Sequence, residues 1–155
     1  MATDAQPIDL GILLALGWQE FVRELRAALD EQGFTDQGRS DGYVLRALSA
    51  APMTVSDLAV RLEITKQGAG QIVDDMEARG YVERRPDPSD KRARLLHLSA
   101  HGQAALAAAR EFHRRYEKRL VREHGAAAVR GLRDLLTAMA GPAATPDPRL
   151  RALYT

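Results

Sequence analysis

The sequence predicts a mainly α-helical fold with one small β-hairpin. Apolar residues recur at three- and four-residue steps through most of the chain, which is the period of an amphipathic helix. The period changes over residues 81–98, where two extended segments flank a charged loop that contains two prolines. Aromatic residues make up only 5% of the 155 residues, which argues against an aromatic-rich β-sandwich.

The composition bounds the class of protein. With 45% hydrophobic and 28% charged residues, the chain can bury a core and is not disordered by composition. Cysteine is absent, which excludes disulfides, thiol catalysis and zinc sites that need cysteine. No apolar run approaches the roughly 18 residues that a membrane span needs. The N-terminus is acidic rather than basic, unlike a signal peptide, so we expect a cytoplasmic protein that binds no membrane.

The first predicted element is a long amphipathic helix over residues 8–33. Leucines, Trp18 and Phe21 recur on one face of this segment. Gly33 is suited to end the helix, because glycine adopts a positive φ without strain. Residues 35–41 then have the composition of a turn.

Three short helices are predicted next. The first is stopped by Pro52, which cannot continue a helix. The second begins at Thr54, where Thr54 and Asp57 have the spacing of a capping box, with Asp in place of the usual Glu. The third begins with Thr65 as its N-cap and ends at Gly80.

Residues 81–85 and 93–98 have an extended pattern. The segment between them cannot be helical because it contains Pro86 and Pro88, so we expect a β-hairpin with a long charged loop. Ser99 is a good N-cap for a following helix. Two further helices are predicted over residues 100–123 and 126–140, followed by a proline-containing tail from Pro142.

The predicted order of helix, helix, turn, helix and hairpin is that of a winged helix-turn-helix module, whose later helix enters the major groove of DNA. On a helical wheel, the inward side of this helix carries Ala69, Ile72, Val73 and Met76. The outward side carries Lys66, Gln67, Gly70, Gln71 and Asp74. Gln can pair with adenine, and Lys can reach guanine or phosphate. The same topology occurs in protein-binding modules, so element order alone leaves both kinds of partner open.

The third short helix contains two glycines, which lower the stability of a helix. Gly68 and Gly70 each weaken a helix by about 1 kcal/mol relative to Ala. Close approach of the backbone to DNA is one candidate reason for their presence.

Basic residues cluster on the predicted hairpin: Arg84, Arg85, Lys91, Arg92 and Arg94. Such a loop can hold phosphates or enter the minor groove. The alternative is a solvated turn in which Asp87 and Asp90 balance the basic residues. The net charge is −4 over residues 1–40, zero over 41–98 and +5 over 99–155. The local basic cluster is therefore a better indicator of the binding partner than the overall charge of +1.

Three sequence blocks together resemble a known family. The most specific block is Asp87-Pro88-Ser89-Asp90-Lys91-Arg92, followed by Leu96, Leu98, Ser99 and Gly102. The other two are Met53–Ala59 leading to Thr65-Lys66-Gln67, and Val73-Asp74 followed by Met76–Arg84. In this order the blocks are similar to those of MarR-type transcriptional regulators, and the resemblance covers roughly residues 10–140.

The resemblance implies a homodimer that binds a palindromic operator in double-stranded DNA. Residues 1–40 and 99–155 would form a helical dimerisation region, and residues 41–98 the winged helix-turn-helix DNA-binding domain. Arg92 matches the wing arginine that reaches the minor groove, and Asp90 matches the acid that orients it. Such regulators usually repress, and many respond to a small aromatic or acidic effector.

The chain departs from the family pattern on the third short helix. Family members often have a basic residue where this chain has Gln71, and another where it has Asp75. Asp74 and Asp75 place two negative charges on or near the helix that would read DNA. We therefore expect modest phosphate affinity from this helix, with the wing carrying much of the binding.

One interpretation is that an effector pocket is lined by Trp18, Tyr43, Arg46 and His113. Arg46 would meet a carboxylate through two hydrogen bonds, and His113 would hydrogen-bond the compound. The default interpretation of Trp18 is core or dimer packing, and that of His113 is a satisfied position on an apolar face.

Neither a cofactor nor a metal site is predicted. The pair His113 and Glu117 is too small a cluster for metal sensing, and no catalytic motif is present, so we do not expect an enzyme. The alternative to a sequence-specific regulator is a winged-helix module that binds another protein, or an architectural protein that binds DNA without sequence preference.

Overall fold

The computed structural model describes residues 7–90 and 92–141, so Lys91 and the tail from Pro142 lie outside the described residues. Six helices and two strands occur in these ranges, in the predicted order. They are α1 (Leu10–Asp30), α2 (Asp41–Ala50), α3 (Val55–Leu62), α4 (Lys66–Ala78), β1 (Val82–Pro86), β2 (Arg94–Leu98), α5 (Ala100–His124) and α6 (Ala126–Ala140). The predicted fold class, mainly α with a small β-hairpin wing, is confirmed.

The chain divides into two compact units, one ending at Thr35 and the other beginning at Asp36. The first unit contains α1, whose Trp18 ring stacks on Phe21 at a centroid distance of 5.7 Å. The helix is shorter than predicted, and its end is closed by Gly33 with φ of +88°. The amide N–H of Phe34 donates to the carbonyl of Leu29 at 3.0 Å in this turn.

The core of the second unit lies between α2, α3, α4, the hairpin and the first half of α5. Its fully buried side chains include Val44, Leu58, Ala69, Val73, Met76, Tyr81 and Leu96. The predicted inward face of α4 is therefore confirmed at three positions, while Ile72 is half-buried. This packing leaves the opposite face of α4 open.

Each predicted N-cap is present. The Thr54 hydroxyl accepts from the amide N–H of Asp57 at 3.1 Å, and the Asp57 carboxylate accepts from the amide N–H of Thr54 at 3.2 Å, which completes the capping box. Thr65 accepts from the amide N–H of Gly68 at 3.0 Å. Ser99 accepts in the same way at 2.9 Å from the amide N–H of Gly102. These caps satisfy amide groups that the first turn of a helix leaves open.

The hairpin is antiparallel, with Val82 opposite Leu98 and Pro86 opposite Arg94. The amide N–H of Leu96 also donates to the carbonyl of Met53 at 2.8 Å, which ties the hairpin to the segment between α2 and α3. The start of α5 approaches the start of the hairpin closely. A Cβ at Gly102 would lie 2.1 Å from the carbonyl oxygen of Tyr81, so only glycine fits there.

Helix α6 follows α5 after Gly125 and buries none of its residues in the single chain. Large apolar side chains on its surface are exposed: Leu132, Leu135, Leu136 and Met139. Among the described residues, no helix combines the length and apolar character that crossing a membrane requires.

Candidate nucleic-acid interface

The outward face of α4 is accessible as predicted. Lys66, Gln67, Gln71 and Asp74 are exposed, and Gly70 is half-exposed. The Thr65 cap fixes the start of the helix, so the first turn presents Lys66 and Gln67 on a rigid backbone. The exposed side chains of Lys66, Gln67 and Gln71 carry hydrogen-bond donors and acceptors of the kind that pair with base edges. Because the sequence predicts that α4 is the helix that reads DNA, we refer to it as the recognition helix.

The two acidic residues of the recognition helix are both paired with arginine. Asp74 accepts from Nη2 of Arg84 at 2.5 Å, and Arg84 also donates to Glu77. Asp75 accepts from Nε of Arg79 at 3.0 Å. The negative charge that the sequence places on this helix is therefore largely neutralised within the protein.

These contacts give Arg84 a role within the protein, whereas the sequence predicts that it holds a DNA phosphate. Its guanidinium bonds two carboxylates of α4, and the hydrogen bond with Asp74 is the main reason that the pKa of Arg84 is raised. Arg84, which belongs to β1, therefore joins this strand to the recognition helix. Its predicted role at phosphate competes with this internal role.

The wing, defined as residues 82–98, carries its other arginines on the surface. Arg85 forms an ion pair with Glu83 at 2.5 Å, while Arg92 and Arg94 are exposed. The basic cluster predicted from the sequence is therefore accessible at these described positions, and Lys91 lies outside the described residues.

Two carboxylates shape the loop of the wing. Asp87 accepts from the amide N–H and the hydroxyl of Ser89, at 2.7 and 2.6 Å, and these hydrogen bonds lower the pKa of Asp87. Asp90 accepts from the amide N–H of Arg92 at 2.9 Å. The contact between Asp90 and Arg92 is therefore through the backbone. It fixes the loop from which the arginine projects rather than holding the guanidinium.

A cavity of about 400 Å³ opens between α2, the wing and α5. Its polar lining includes Arg85, His97 and Arg110, and Arg110 donates to the hydroxyl of Ser49 at 3.1 Å. The apolar lining consists of Leu48, Pro52, Leu98 and Leu106. The lining carries basic side chains and no carboxylate, which suits an organic anion. Sequence reasoning missed this cavity because its residues come from three elements with no common spacing.

The predicted effector residues are distributed over both units. On α5, the side chain of His113 is exposed in the single chain, and its pKa is lowered, first by partial loss of solvent and second by the positive charge of Arg46. Tyr43 is half-buried on the same helix as Arg46. Trp18 belongs to the first unit, where it lines an open groove of about 510 Å³ along α1. It is 51% exposed in the single chain.

Comparison with known proteins identifies the family. The family model described as MarR matches residues 32–93, which contain α2, α3, the recognition helix and β1. The HTH-type transcriptional regulator PetP of Rhodobacter capsulatus is 33% identical over 109 residues, which span 70% of this chain and 66% of that regulator. The chain belongs to the MarR family of transcriptional regulators.

Solved structures of the MarR family agree with this fold. The reduced form of MarR from E. coli matches with a TM-score of 0.67 and 27% identity, covering 88% of this chain and 99% of that one. The transcriptional repressor CouR, bound to a 23-mer DNA duplex, matches with a TM-score of 0.65 and 27% identity, covering 86% of this chain and 93% of that one. The resemblance inferred from the three sequence blocks is confirmed.

Proposed function

We propose that this MarR-family protein represses transcription by binding a palindromic operator as a homodimer. The observation that carries the proposal is the exposed face of the recognition helix beside a wing whose arginines are also exposed. This arrangement offers one element to the major groove and one to the adjacent minor groove. CouR, a repressor of similar fold, is bound to a DNA duplex in its solved structure.

Within this proposal, base reading belongs to the N-terminal half of the recognition helix. Gln67 and Gln71 have the amide groups that pair with adenine, and Lys66 reaches guanine or phosphate. Gly70 leaves the backbone bare between them, with nothing within 4 Å of an added Cβ. The DNA approaches the helix most closely at this glycine.

The wing supplies the second set of contacts. Arg92 enters the minor groove, while Arg85, Lys91 and Arg94 hold phosphates. Asp87 and Asp90 give the loop its shape through the hydrogen bonds described above. Arg84 contributes indirectly, because its ion pairs join β1 to the recognition helix.

Homodimer formation is supported by apolar surface on the helices outside the winged module. Leu10 of α1 is 68% exposed and Leu135 of α6 is 65% exposed in the single chain. Large exposed apolar groups in such numbers mark an interaction surface. A two-fold dimer would place its two recognition helices at half-sites about 10 base pairs apart.

The first experiment measures binding to DNA from around the protein's own start codon and to a scrambled duplex of equal length, at several salt concentrations. A specific regulator binds the native duplex more tightly, and log K falls by about 0.9 per log unit of salt for each phosphate neutralised. Equal affinity for all duplexes would favour an architectural protein. Absence of DNA binding at low salt would favour a protein-interaction module.

A second candidate function, response to a small organic anion, is favoured by the cavity lined by Arg85, His97 and Arg110. A carboxylate bound there would contact the wing directly through Arg85. The test is titration of the DNA complex with benzoate-type carboxylates. Loss of the response in Arg110→Ala but not in Arg46→Ala would assign the effector to this cavity. The reverse would assign it to the neighbourhood of Arg46 and His113.

A further inference from the structure

Arg79 closes the recognition helix, and its guanidinium faces Asp41 at the start of α2. We propose that Arg79 is a positioning residue for operator recognition, which holds the C-terminal end of the recognition helix at a fixed angle to α2. The inference rests on the proposed function, because it concerns how that function obtains its sequence specificity.

All five N–H groups of the Arg79 guanidinium have acceptors. Nη1 donates to Asp41 Oδ2 at 2.6 Å and to the carbonyl of Asp36 at 2.7 Å. Nη2 donates to Asp41 Oδ1 at 3.1 Å and to Asp75, to which Nε also donates at 3.0 Å. The two parallel bonds to Asp41 set the plane of the guanidinium as well as its position. A fully bonded planar group of this kind has little freedom to rotate.

The contact is enclosed. The side chain of Asp41 is 3% exposed and that of Arg79 is 17% exposed, although both are charged. The amide N–H of Gly38 donates to Asp41 Oδ2 at 2.8 Å, and a Cβ at Gly38 would lie 2.9 Å from Asp41 Oδ1. The loop before α2 is therefore folded around the same carboxylate. A buried and fully bonded charge pair specifies one arrangement of the elements that carry it.

Tyr81 extends the network to α5. The Arg79 guanidinium lies over the Tyr81 ring at 5.3 Å from its centroid, and the Tyr81 hydroxyl donates to Asp36. The Tyr81 ring also stacks with the imidazole of His101 in α5 at a centroid distance of 4.5 Å. Burial and the bond to Asp36 raise the pKa of Tyr81 to about 12. Arg79 thus lies where the recognition helix, the loop before α2 and α5 meet.

The position of this network explains why it would act on specificity. Base reading is proposed for Lys66, Gln67 and Gln71, at the opposite end of the same helix. A rotation at the Arg79 end displaces these side chains from the base edges, which tolerate little misalignment. Contacts from the exposed wing arginines to phosphates depend less on this angle. Loss of Arg79 should therefore reduce operator preference more than affinity for DNA in general.

The experiment uses the full-length protein and the duplex that it selects from a random-sequence pool, with a scrambled duplex as reference. Arg79→Gln removes the paired hydrogen bonds between Arg79 and Asp41. It also leaves the buried carboxylate of Asp41 without its cationic partner, which is strongly destabilising. The double variant Asp41→Asn with Arg79→Gln avoids that charge. Arg79→Lys keeps the charge without the planar group, and Asp75→Asn is the matched control that leaves the bonds between Arg79 and Asp41 intact. Thermal unfolding of each variant gives its folded fraction.

The measured quantity is the ratio of operator affinity to scrambled-duplex affinity. We expect this ratio to fall by at least about tenfold in both Gln variants, which is the scale of one lost base contact. Arg79→Lys should restore part of it, and Asp75→Asn should stay within about twofold of the wild type. An unchanged ratio in folded Gln variants would overturn the positioning role, whatever happens to their stability. If the pool yields no enriched sequence for the wild type, the proposed function itself is overturned.

Discussion

The guanidinium of Arg84 in β1 donates from Nη2 to Oδ1 of Asp74 in the recognition helix across 2.5 Å. The same guanidinium also bonds Glu77, so one residue of the wing binds two carboxylates of the helix. The sequence alone suggested that Asp74 and Asp75 would weaken phosphate binding by the helix. Because Arg84 and Arg79 neutralise them, the helix presents less negative charge to DNA than its composition implies.

Breaking this pair from either side should change DNA affinity in opposite directions. Arg84→Ala leaves Asp74 and Glu77 unneutralised near the DNA, so affinity should fall for every sequence, by roughly fivefold or about 1 kcal/mol. Asp74→Asn removes a negative charge and should raise affinity for all duplexes. Both changes should alter the free energy of unfolding by less than about 1 kcal/mol, because the pair is partly exposed.

Fluorescence anisotropy with operator and scrambled duplexes measures these effects. The double variant of Arg84→Ala and Asp74→Asn serves as control and should lie between the two single variants. A fall in affinity for Asp74→Asn at both duplexes would contradict the electrostatic explanation. It would instead indicate that Asp74 itself contacts DNA.

Gly102→Ala should destabilise the protein by roughly 1–3 kcal/mol, the usual cost of overpacking. The added Cβ would lie 2.1 Å from the carbonyl oxygen of Tyr81, a backbone atom that cannot rotate away. Gly42→Ala in α2 is the matched control, since nothing lies within 4 Å of its Cβ. Urea unfolding followed by circular dichroism compares the two. Equal stability of both variants would show that α5 can shift without cost.

Local features of this fold were predictable because they depend on neighbouring residues. The caps at Thr54, Thr65 and Ser99 each need only a partner three residues away, and all three are present. The wing loop was recognisable from its prolines and acids for the same reason. The exposed face of the recognition helix was predicted from helical periodicity.

Long-range polar contacts were not predictable in this way. Arg79 and Asp41 are 38 residues apart, and no spacing rule connects them. Arg84, the partner of Asp74, lies on β1 of the wing, so the sequence alone did not reveal that the charge of Asp74 is neutralised. The cavity beside Arg110 combines residues from α2, the hairpin and α5. Such contacts depend on how the elements pack against one another. The periodicity of a single segment does not predict that packing.

His113 should titrate below its ordinary pKa of 6.5, because surrounding atoms remove solvent and the positive charge of Arg46 is near. Since the unfolded chain takes up a proton at His113 before the folded chain does, this residue lowers stability as the pH falls from about 7 towards 5. Arg46→Met should raise the His113 pKa only in part, because loss of solvent is the larger cause. NMR titration of the imidazole measures both values. A His113 pKa at or above 6.5 in the wild type would contradict the prediction.

Gly70→Ala separates stability from DNA binding. Nothing lies within 4 Å of a Cβ at this position, and alanine favours a helix over glycine by about 1 kcal/mol, so the free protein should become more stable. If DNA approaches the backbone here, the same methyl group should weaken operator binding. Thermal unfolding and anisotropy measure the two effects. A variant that is more stable and binds the operator unchanged would place the DNA elsewhere on the helix.

Arg92→Ala tests whether the wing carries a large part of the affinity. The side chain is exposed, and the Asp90 carboxylate holds the backbone amide N–H at this residue, which alanine retains. The loop should therefore keep its shape while one cation is lost. We expect weaker binding and a shallower slope of log K against log salt, because the variant loses one cation that lies close to the phosphates on both sides of the minor groove. Arg115→Ala on the exposed surface of α5 is the control and should leave the slope unchanged. If Arg92→Ala binds as tightly as the wild type, the proposed contact of Arg92 with the minor groove is wrong.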